Sequence, residues 1–493
     1  MKKLLTLWAV GVAGLALAAS PQDPRPNFVF IIGDDISAED FGCYGNAGIR
    51  TPNIDRLAAQ GLRFTNAYLT ASSCSPSRAS IITSRYPHNL ETAAELHGTF
   101  PPGVPLFPQL LRAAGYYTVH SGKAHFGPNA DKLNGPAVAA FDQGGDGEQA
   151  ESSGGPGGEN RWLDRLRGRP KAQPFFMWFA SHDAHRIWDA DSFAGINRPA
   201  DVRVPAYLAD TPETRADLAH YYDEITRLDY HVGEVVRELA RQGVLEHTVI
   251  IVMADNGRPF PHSKTQLYDD GIKPPLIISW PAGLPRPAQT AALVSSIDVA
   301  PTILELAGVP RPPTFQGVSL TPILRDPTAS VRDYVFAEHN WHNFAAHVRL
   351  VRHGQHVYLR NAWPDLPQPG AADTFYNPSA DALKTLQAAG QLTPLQANIF
   401  QQPRPAEELF DLATDPGQER NLAATATPPP ALAVLRAVLA RWTEETGDTV
   451  PVKSTLTNVD LATGLKRAGL SRGDAPGVAA QALRLNAPGP IRD

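Results

Sequence analysis

The chain has 493 residues, of which 43% are hydrophobic and 19% are charged, a composition typical of a soluble globular protein with a large core. Its 44 basic and 50 acidic residues give a formal net charge of −6. This balance argues against a nucleic acid or an anionic membrane as a partner, so a site for an anionic substrate has to gather its positive charge locally.

The N-terminus predicts a signal peptide over residues 1–18. Lys2 and Lys3 precede an apolar run of roughly 15 residues, and Ala16-Leu17-Ala18 offers small residues for cleavage. The alternative, a membrane anchor, needs about 20 apolar residues. We therefore expect an exported protein, periplasmic or secreted, that has no stable membrane insertion after cleavage.

Apolar runs alternate with helical patterns over the first three-fifths of the chain. The runs are apolar throughout, which is typical of parallel strands covered on both faces. Between them, residues 215–242 have helical apolar spacing and end at Gly243. Strands separated by helices predict a doubly wound α/β sheet. The predicted strands lie at 27–32, 117–121, 174–181, Thr248–Ala254 and 275–280.

The later part of the chain has shorter apolar runs. Those at 348–352 and 356–360 predict a hairpin in a smaller antiparallel subdomain, and a last helix is expected at Ala431–Thr446. The Gly-rich segment 144–158 predicts a surface loop, and the Ala/Gly/Pro-rich tail predicts irregular packing or partial disorder. The expected parts are a signal peptide (1–18), a catalytic domain (23–330), a C-terminal subdomain (331–450) and a tail (451–493).

Polar clusters directly follow four of the predicted strands. In an open parallel sheet, ligands bind beyond the carboxyl ends of the strands, so the four clusters should converge on one pocket. Each cluster alone could be an ordinary strand-end turn, because Asp, Asn and Gly favour turns. The clusters are Asp34-Asp35, Lys123 with His125, the run from His182 to Arg186, and Asp255-Asn256.

Three carboxylates and one amide in these clusters are hard oxygen ligands, which suit Ca²⁺ or Mg²⁺ better than zinc. Adjacent carboxylates after a buried strand repel each other unless a cation neutralises them. A solvated turn is the alternative for the first pair. The expected metal ligands are Asp34, Asp35, Asp255 and Asn256.

Cys74 opens a fifth polar segment. Pro76 lies where a helix can begin, so Cys74 would lie at a helix N-terminus, where backbone amides favour an anion. Arg78, one turn later, adds donors suited to sulfate or phosphate. Two alternatives remain open: a disulfide between Cys43 and Cys74, and a buried structural thiol at Cys74.

These motifs resemble those of the formylglycine-dependent sulfatases. Residues 74–78, Cys-Ser-Pro-Ser-Arg, match the family signature Cys-x-Pro-x-Arg completely, and the other clusters follow in the family's order. The run at 408–412 resembles the family's C-terminal motif, so that the likeness spans roughly residues 27–445. It implies an α/β fold of the alkaline-phosphatase-like type: a doubly wound mixed sheet flanked by helices, with a smaller C-terminal antiparallel sheet.

Within the family, the details look closest to the N-sulfoglucosamine sulfohydrolases (heparan N-sulfatases). Residues 73–80, 182–186, 211–219, 255–261 and 267–268 carry this likeness. Lys264 is a departure, because that subgroup can carry Arg there, and residues 338–342 have no clear match. The resemblance implies a sulfated saccharide of the glycosaminoglycan type as substrate. Alternatives are a carbohydrate O-sulfatase, a phosphodiesterase or phosphonate hydrolase of the same superfamily, and a non-catalytic glycan-binding protein.

The resemblance also implies a cofactor and a modification. A formylglycine-generating maturation enzyme would oxidise Cys74 to 3-oxoalanine, and one Ca²⁺, with Mg²⁺ as the alternative, would bind residue 74 and a sulfate oxygen. One hydroxyl of the hydrated aldehyde would attack sulfur, and the second would drive release of sulfate.

Roles for the remaining side chains follow from the same resemblance. His182 is the expected acid for the leaving group, since histidine titrates in the useful range, and His125 is the expected base for sulfate release. Arg78 and Lys123 would stabilise the oxyanion at residue 74, and Lys264 would hold the sulfate. The expected sugar contacts are Asp183, His185, Arg186 and His342.

Overall fold

The computed structural model describes residues 25–128, 133–144, 158–188, 190–285, 287–467, 469 and 471–493. The predicted signal peptide and residues 145–157 of the predicted loop lie outside the described residues. The strands are β1 Asn27–Gly33, β2 Leu62–Phe64, β3 Ala67–Tyr68, β4 Tyr117–Gly122, β5 Phe175–Ala180, β6 Thr248–Ala254, β7 Leu276–Ser279, β8 Ala288–Thr290, β9 Val294–Ser295, β10 Tyr334–His342, β11 Phe344–His353, β12 His356–Asn361 and β13 Glu407–Asp411. The α-helices are α1 Pro52–Gln60, α2 Cys74–Thr83, α3 Phe107–Ala113, α4 Trp162–Gly168, α5 Pro212–Arg241, α6 Asp269–Ile272, α7 Val299–Leu306, α8 Thr321–Arg325, α9 Ala372–Phe375, α10 Pro378–Ala388, α11 Pro394–Ala397 and α12 Ala431–Thr446.

A seven-stranded mixed sheet runs in the order β4-β5-β1-β6-β7-β2-β8. Strands β4, β5, β1 and β6, which are neighbours in this order, are parallel to one another. Strand β7 is antiparallel to both of its neighbours, β6 and β2. All five predicted strands are confirmed and lie in this sheet. The sequence pattern missed β2 and β8, because three residues are too few to form a recognisable apolar run.

Apolar layers cover both faces of this sheet. Side chains of β1 alternate between the layers: Phe30 belongs to one and Ile31 to the other, and both are fully buried. Helix α5 packs in the second layer through residues such as Leu228. It begins earlier than the apolar pattern predicts, because Pro212 suits the first turn and the Thr211 side chain accepts a hydrogen bond from the backbone of Thr214 at 3.3 Å.

A second sheet, entirely antiparallel, has the order β10-β11-β12-β13. Helix α12 covers it, and the ring of Trp442 stacks on that of Phe336 at 5.0 Å between centroids. The predicted hairpin and the last helix are confirmed. The first strand, β10, escaped prediction because polar residues such as Glu338 and Asn340 interrupt its apolar pattern. The two sheets confirm the predicted fold class.

The tail contains little regular structure but packs against the remainder of the chain. The Arg85 guanidinium donates hydrogen bonds to the backbone carbonyls of Ala482 at 2.7 Å and Leu485 at 2.9 Å. The predicted irregular packing is therefore present in the described part of the tail. Across the described ranges, we find no helix with the length and apolar character that a membrane crossing requires.

Candidate active site

The predicted clusters converge at the carboxyl ends of β1, β4, β5 and β6. Each polar segment begins one or two residues after its strand ends. The turn after β4 requires glycine, since Gly122 has a φ of +91° and a Cβ there would lie 1.8 Å from the backbone oxygen of Ala180. This close approach lets the Lys123 amide donate to the same oxygen at 3.1 Å, which fixes the start of the lysine's segment.

Cys74 is the first residue of α2. Pro76 lies in the first turn, where its missing amide proton costs no helical hydrogen bond, so the helix starts two residues earlier than the sequence predicts. All ten residues of α2 are buried, and Cys74 is 2% exposed. Both cysteines are free, which contradicts the disulfide alternative for Cys43 and Cys74.

Four buried oxygen-bearing side chains lie beside the Cys74 thiol. Its Sγ is 3.9 Å from Asp35 Oδ1, and ligand atoms of Asp34, Asp35 and Cys74 lie within 4.8 Å of one another. Asp255 Oδ1 accepts a hydrogen bond from the Asp35 amide at 3.2 Å, and the Asn256 amide group contacts the Asp35 carboxylate. The structure thus brings together the five predicted metal-site residues. We call Asp34, Asp35, Asp255 and Asn256 the oxygen cluster, and Cys74 lies beside it.

The oxygen cluster has the chemistry of a site for a hard divalent cation. Among the described residues, Asp34 Oδ1 and Asn256 Oδ1 are shielded from solvent and have no hydrogen-bond partner. Burial, reinforced by neighbouring carboxylates and opposed by Lys264, raises the pKa of Asp35 to about 8. Burial and the Asp34 charge also raise the pKa of Asp255. Crowded carboxylates with unsatisfied oxygens fit Ca²⁺ or Mg²⁺, which neutralise such charge.

Three buried cations surround the oxygen cluster, and their side chains are at most 4% exposed. Each forms an ion pair with a different carboxylate. The pairs are Arg78 Nε with Asp255 Oδ2 at 2.7 Å, Lys123 with Asp34, and Lys264 Nζ with Asp35 Oδ2 at 2.8 Å. Within the described part of the chain, Arg78 Nη2 has no partner, so this donor is free for an anion. The positive charge that an acidic protein needs for an anionic substrate is gathered here.

The site histidines are neutral at physiological pH. Burial and the Lys123 charge lower the pKa of His182 to about 3. The same two causes hold the pKa of His125 well below its ordinary value. A neutral His125 can accept a proton, as its expected role as base requires. His182 has to gain a proton before it can donate one, and the charge of a bound anion would raise its pKa.

Two predicted sugar contacts do not join the cluster. Asp183 is 1% exposed and its carboxylate receives Arg227 Nε at 2.9 Å. Arg186 forms a two-pronged ion pair with Asp217 at 2.7 and 2.8 Å, and its side chain is 9% exposed. Both partners belong to α5, so the structure gives Asp183 and Arg186 a packing role. Direct contact with a sugar stays a prediction for these two residues.

The other two predicted sugar contacts do border the cluster. His185 Nε2 lies 4.0 Å from Asp35 Oδ2, and its side chain is 34% exposed. His342, at the end of β10, shares a hydrogen bond of 2.8 Å between its Nδ1 and the hydroxyl of Ser73, the residue before Cys74.

Sequence reasoning missed three residues of the site. Asp373, on α9, binds Lys264 Nζ at 2.7 Å and lies 3.5 Å from His185 Nε2. His97 Nδ1 shares a hydrogen bond of 3.0 Å with His125 Nε2, and Ser73 contacts His342. None of the three follows a strand of the main sheet, so no local pattern marked them.

The backbone at the site is strained at residues other than glycine. Asp35, His97 and His125 have φ values of 61°, 59° and 53°, in the left-handed region that such residues rarely adopt. Each costs about 1–3 kcal/mol, and such residues cluster at functional sites. The ion pair between Lys264 and Asp35 and the hydrogen bond between His97 and His125 hold these side chains in place.

Comparison with known proteins agrees with the fold and identifies the class of enzyme. Residues 26–309 match the model of the Sulfatase family, and the chain belongs to this family. It is therefore a sulfuric ester hydrolase.

Individual relatives extend over most of the chain. It is 32% identical to the human N-sulphoglucosamine sulphohydrolase, an alignment that covers 88% of this chain and 93% of the relative. It is 29% identical to human arylsulfatase A, with 83% and 85% covered. The solved structure of BT4656 in complex with its substrate D-glucosamine-2-N,6-O-disulfate is 19% identical, with a TM-score of 0.64 and coverage of 85% and 98%. This last likeness shows the fold alone.

Proposed function

We propose that the protein removes sulfate from a sulfated sugar of the glycosaminoglycan type, such as N-sulfoglucosamine. Residue 74 provides the nucleophile, and the oxygen cluster holds one Ca²⁺. The observation that carries this proposal is the position of Cys74 at the start of α2, 3.9 Å from Asp35 and among three buried cations. The identity to the human N-sulphoglucosamine sulphohydrolase supports the choice of sugar.

The thiol of Cys74 is unsuited to the chemistry as it stands. Burial raises its pKa well above the ordinary value, although Lys123 opposes the shift, so the thiolate is disfavoured. A thiol is also a poor ligand for an ion that prefers oxygen. Formylglycine at position 74, once hydrated by addition of water to its aldehyde, would supply a hydroxyl nucleophile, and the ion would polarise the sulfate.

The chain's own side chains bind the anion and move protons. Lys264 and the free donor of Arg78 stabilise charge on the sulfate oxygens. His182 donates a proton to the leaving oxygen or nitrogen once the bound anion has raised its pKa. His125, oriented by His97 at 3.0 Å, accepts a proton during sulfate release.

Residues outside the site have proposed roles as well. Residues 1–18 direct export to the periplasm or the outside, and a maturation enzyme converts Cys74 to formylglycine. Residues 23–330 form the catalytic domain, 331–450 the C-terminal subdomain and 451–493 the tail.

The test is sulfate release from N-sulfoglucosamine and from glucosamine-6-sulfate, measured side by side. Conversion of Cys74 is first confirmed by peptide mass, and Cys74→Ser protein serves as the control. We expect turnover of the N-sulfated sugar. Turnover of the 6-sulfate alone would make the protein an O-sulfatase, and faster hydrolysis of 4-nitrophenyl phosphate than of either sugar would contradict the sulfatase mechanism.

A further inference from the structure

Asp373 is the one acidic side chain close to the oxygen cluster that comes from beyond the family match, which ends at residue 309, within the described part of the chain. Its Oδ2 accepts a hydrogen bond from Lys264 Nζ at 2.7 Å and lies 3.5 Å from His185 Nε2. Both of these neighbours also approach Asp35, at 2.8 and 4.0 Å. Lys264 and His185 therefore each lie between Asp373 and the Asp35 carboxylate.

Exposure distinguishes Asp373 and His185 from the other charged groups of the site. Their side chains are 24% and 34% exposed, whereas those of Asp35 and Lys264 are 0% and 1% exposed. The pair thus lies on the side of the site that is open to solvent. A substrate whose sulfate contacts Lys264 therefore lies within reach of this pair.

The Asp373 carboxylate has acceptor capacity left over. An ionised carboxylate can accept about four hydrogen bonds, and Oδ2 serves both present neighbours. The second oxygen, Oδ1, is shielded from solvent and has no hydrogen-bond partner among the residues that the structure describes. A shielded acceptor without a donor is costly, so a donor supplied by a ligand would be favoured there.

The backbone around Asp373 is held from two sides. Asn343, in the turn between β10 and β11, accepts a hydrogen bond from the Ala372 amide at 3.1 Å. Asn377 donates to the Asp373 carbonyl at 2.9 Å, and Ser379 donates to Asp217 of α5 at 2.6 Å. The carboxylate therefore has a fixed position relative to Lys264, which a residue that discriminates between substrates needs.

We propose that Asp373 is a specificity-determining residue that selects sulfated sugars with a hydrogen-bond donor, a hydroxyl or an amine, beside the sulfated position. Its charge also disfavours substrates with a second anionic group at that place. The proposal rests on the proposed function, and it assigns to a segment outside the family match the recognition of the leaving group. Lys264 also contacts Asp35 at 2.8 Å, so Asp373 is not its sole anionic partner among the described residues.

The experiment uses the full-length converted enzyme and whichever of N-sulfoglucosamine and glucosamine-6-sulfate the wild type hydrolyses. The hydroxyls nearest the sulfated position, at C1 and C3 of N-sulfoglucosamine or at C4 of glucosamine-6-sulfate, are methylated in turn, and kcat/KM is measured for every derivative. Wild type should lose about tenfold or more with one derivative, because a hydrogen bond to a charged group is lost. Asp373→Ala and Asp373→Ser, which have no acceptor that reaches the same point, should lose about tenfold on the parent sugar and show no further loss on methylation.

Asp381→Asn is the matched control, because Asp381 is on the neighbouring helix α10 and its side chain is 69% exposed. It should behave as wild type throughout. The inference is overturned if methylation leaves wild-type kcat/KM unchanged, a result that needs no variant. It is also overturned if the Asp373 variants keep the full methylation loss, which would show that Asp373 acts only through Lys264. Wild type that releases sulfate from neither parent sugar would instead count against the proposed function.

Discussion

Charged side chains inside the family match and beyond it are placed differently around the same site. Within residues 26–309, Asp34 and Lys123 are buried and form an ion pair, and each directly follows a strand of the main sheet. Beyond the match, Asp373 reaches the site from the open side and is 24% exposed. In the proposed function, the first region supplies the chemistry and the second borders the space of the leaving group.

Contacts between buried polar and charged side chains also join the two regions. His88, from the first region, lies 2.9 Å from the Glu338 carboxylate of β10. Arg349 of β11 pairs with Asp448 at 2.6 Å and approaches Glu338 at 3.5 Å. These side chains are at most 1% exposed, so the second sheet has a fixed position relative to the site.

The largest effect should come from the nucleophile. Cys74→Ala should lower sulfate release by about 10⁴-fold or more, because the reacting group is gone while the surrounding pairs remain. The melting temperature should change little, which separates lost chemistry from lost folding. Sulfate release near the wild-type rate would break the comparison by placing the chemistry outside the first region.

The second-largest effect should come from loss of the metal. Asp255→Ala should lower both activity and bound Ca²⁺, activity by about 10³-fold, because a ligand is lost and the buried Arg78 loses its partner. Metal content is measured by elemental mass spectrometry, and strong chelation of wild type should reproduce the loss. Exposed Asp210→Ala is the control. An active Asp255→Ala protein without bound metal would rule out the cation site.

Substitution of Asp183 should lower the free energy of unfolding, in contrast to substitution of the proposed nucleophile. Asp183→Ala leaves the Arg227 guanidinium buried without its main partner and should lower the free energy of unfolding by about 3–5 kcal/mol. Urea unfolding measures this, and Asp201→Ala, which breaks an exposed pair with Arg198, should leave the midpoint unchanged. A raised KM with unchanged stability would instead restore Asp183 as a sugar contact.

The next prediction concerns Lys264, which contacts a carboxylate from each of the two regions. Lys264→Ala should lower kcat/KM by about 10²-fold, the usual cost of one donor to developing charge. Lys264→Arg should recover part of the loss, since a guanidinium can bind both sulfate and the Asp35 and Asp373 carboxylates. Equal loss in both variants would show that the contact depends on the shape of lysine rather than its charge.

The smallest effect concerns acid sensitivity in the second region. Burial lowers the pKa of His339 to about 3 from an ordinary 6.5, so between these values the unfolded chain binds more protons. The free energy of unfolding therefore falls as the pH falls through this window, by up to about 1.4 kcal/mol per pH unit for one histidine. His339→Gln should reduce that slope in urea unfolding at pH 6.5 and 5.5. His347→Gln should do the same, because the pKa of His347 is also lowered to about 3, and an unchanged slope in both would refute the cause.

The sequence predicts the first region far better than the second. Buried parallel strands are continuous apolar runs, and their carboxyl ends meet, so Asp34 and Asp255 are visible as polar residues that follow such runs. The start of α2 was two residues off because proline is tolerated anywhere in a first turn.

Residues placed by long-range packing left no such signal. Asp373 approaches Lys264 only because α9 is held by Asn343 and by the segment that contacts α5. Likewise, Arg186 is close to His182 in the sequence, and no local pattern marked its ion pair with Asp217 of α5.

Helix α2, all of whose residues are buried, also sets an order of events during biosynthesis. An enzyme that modifies Cys74 can reach its side chain only before this helix packs. The loop after α2 is secured through Arg85 by carbonyls of Ala482 and Leu485, which are translated about 400 residues later. The nucleophile's surroundings are thus completed late, and the nascent chain offers residue 74 to modification while most of its own enclosure is still being made.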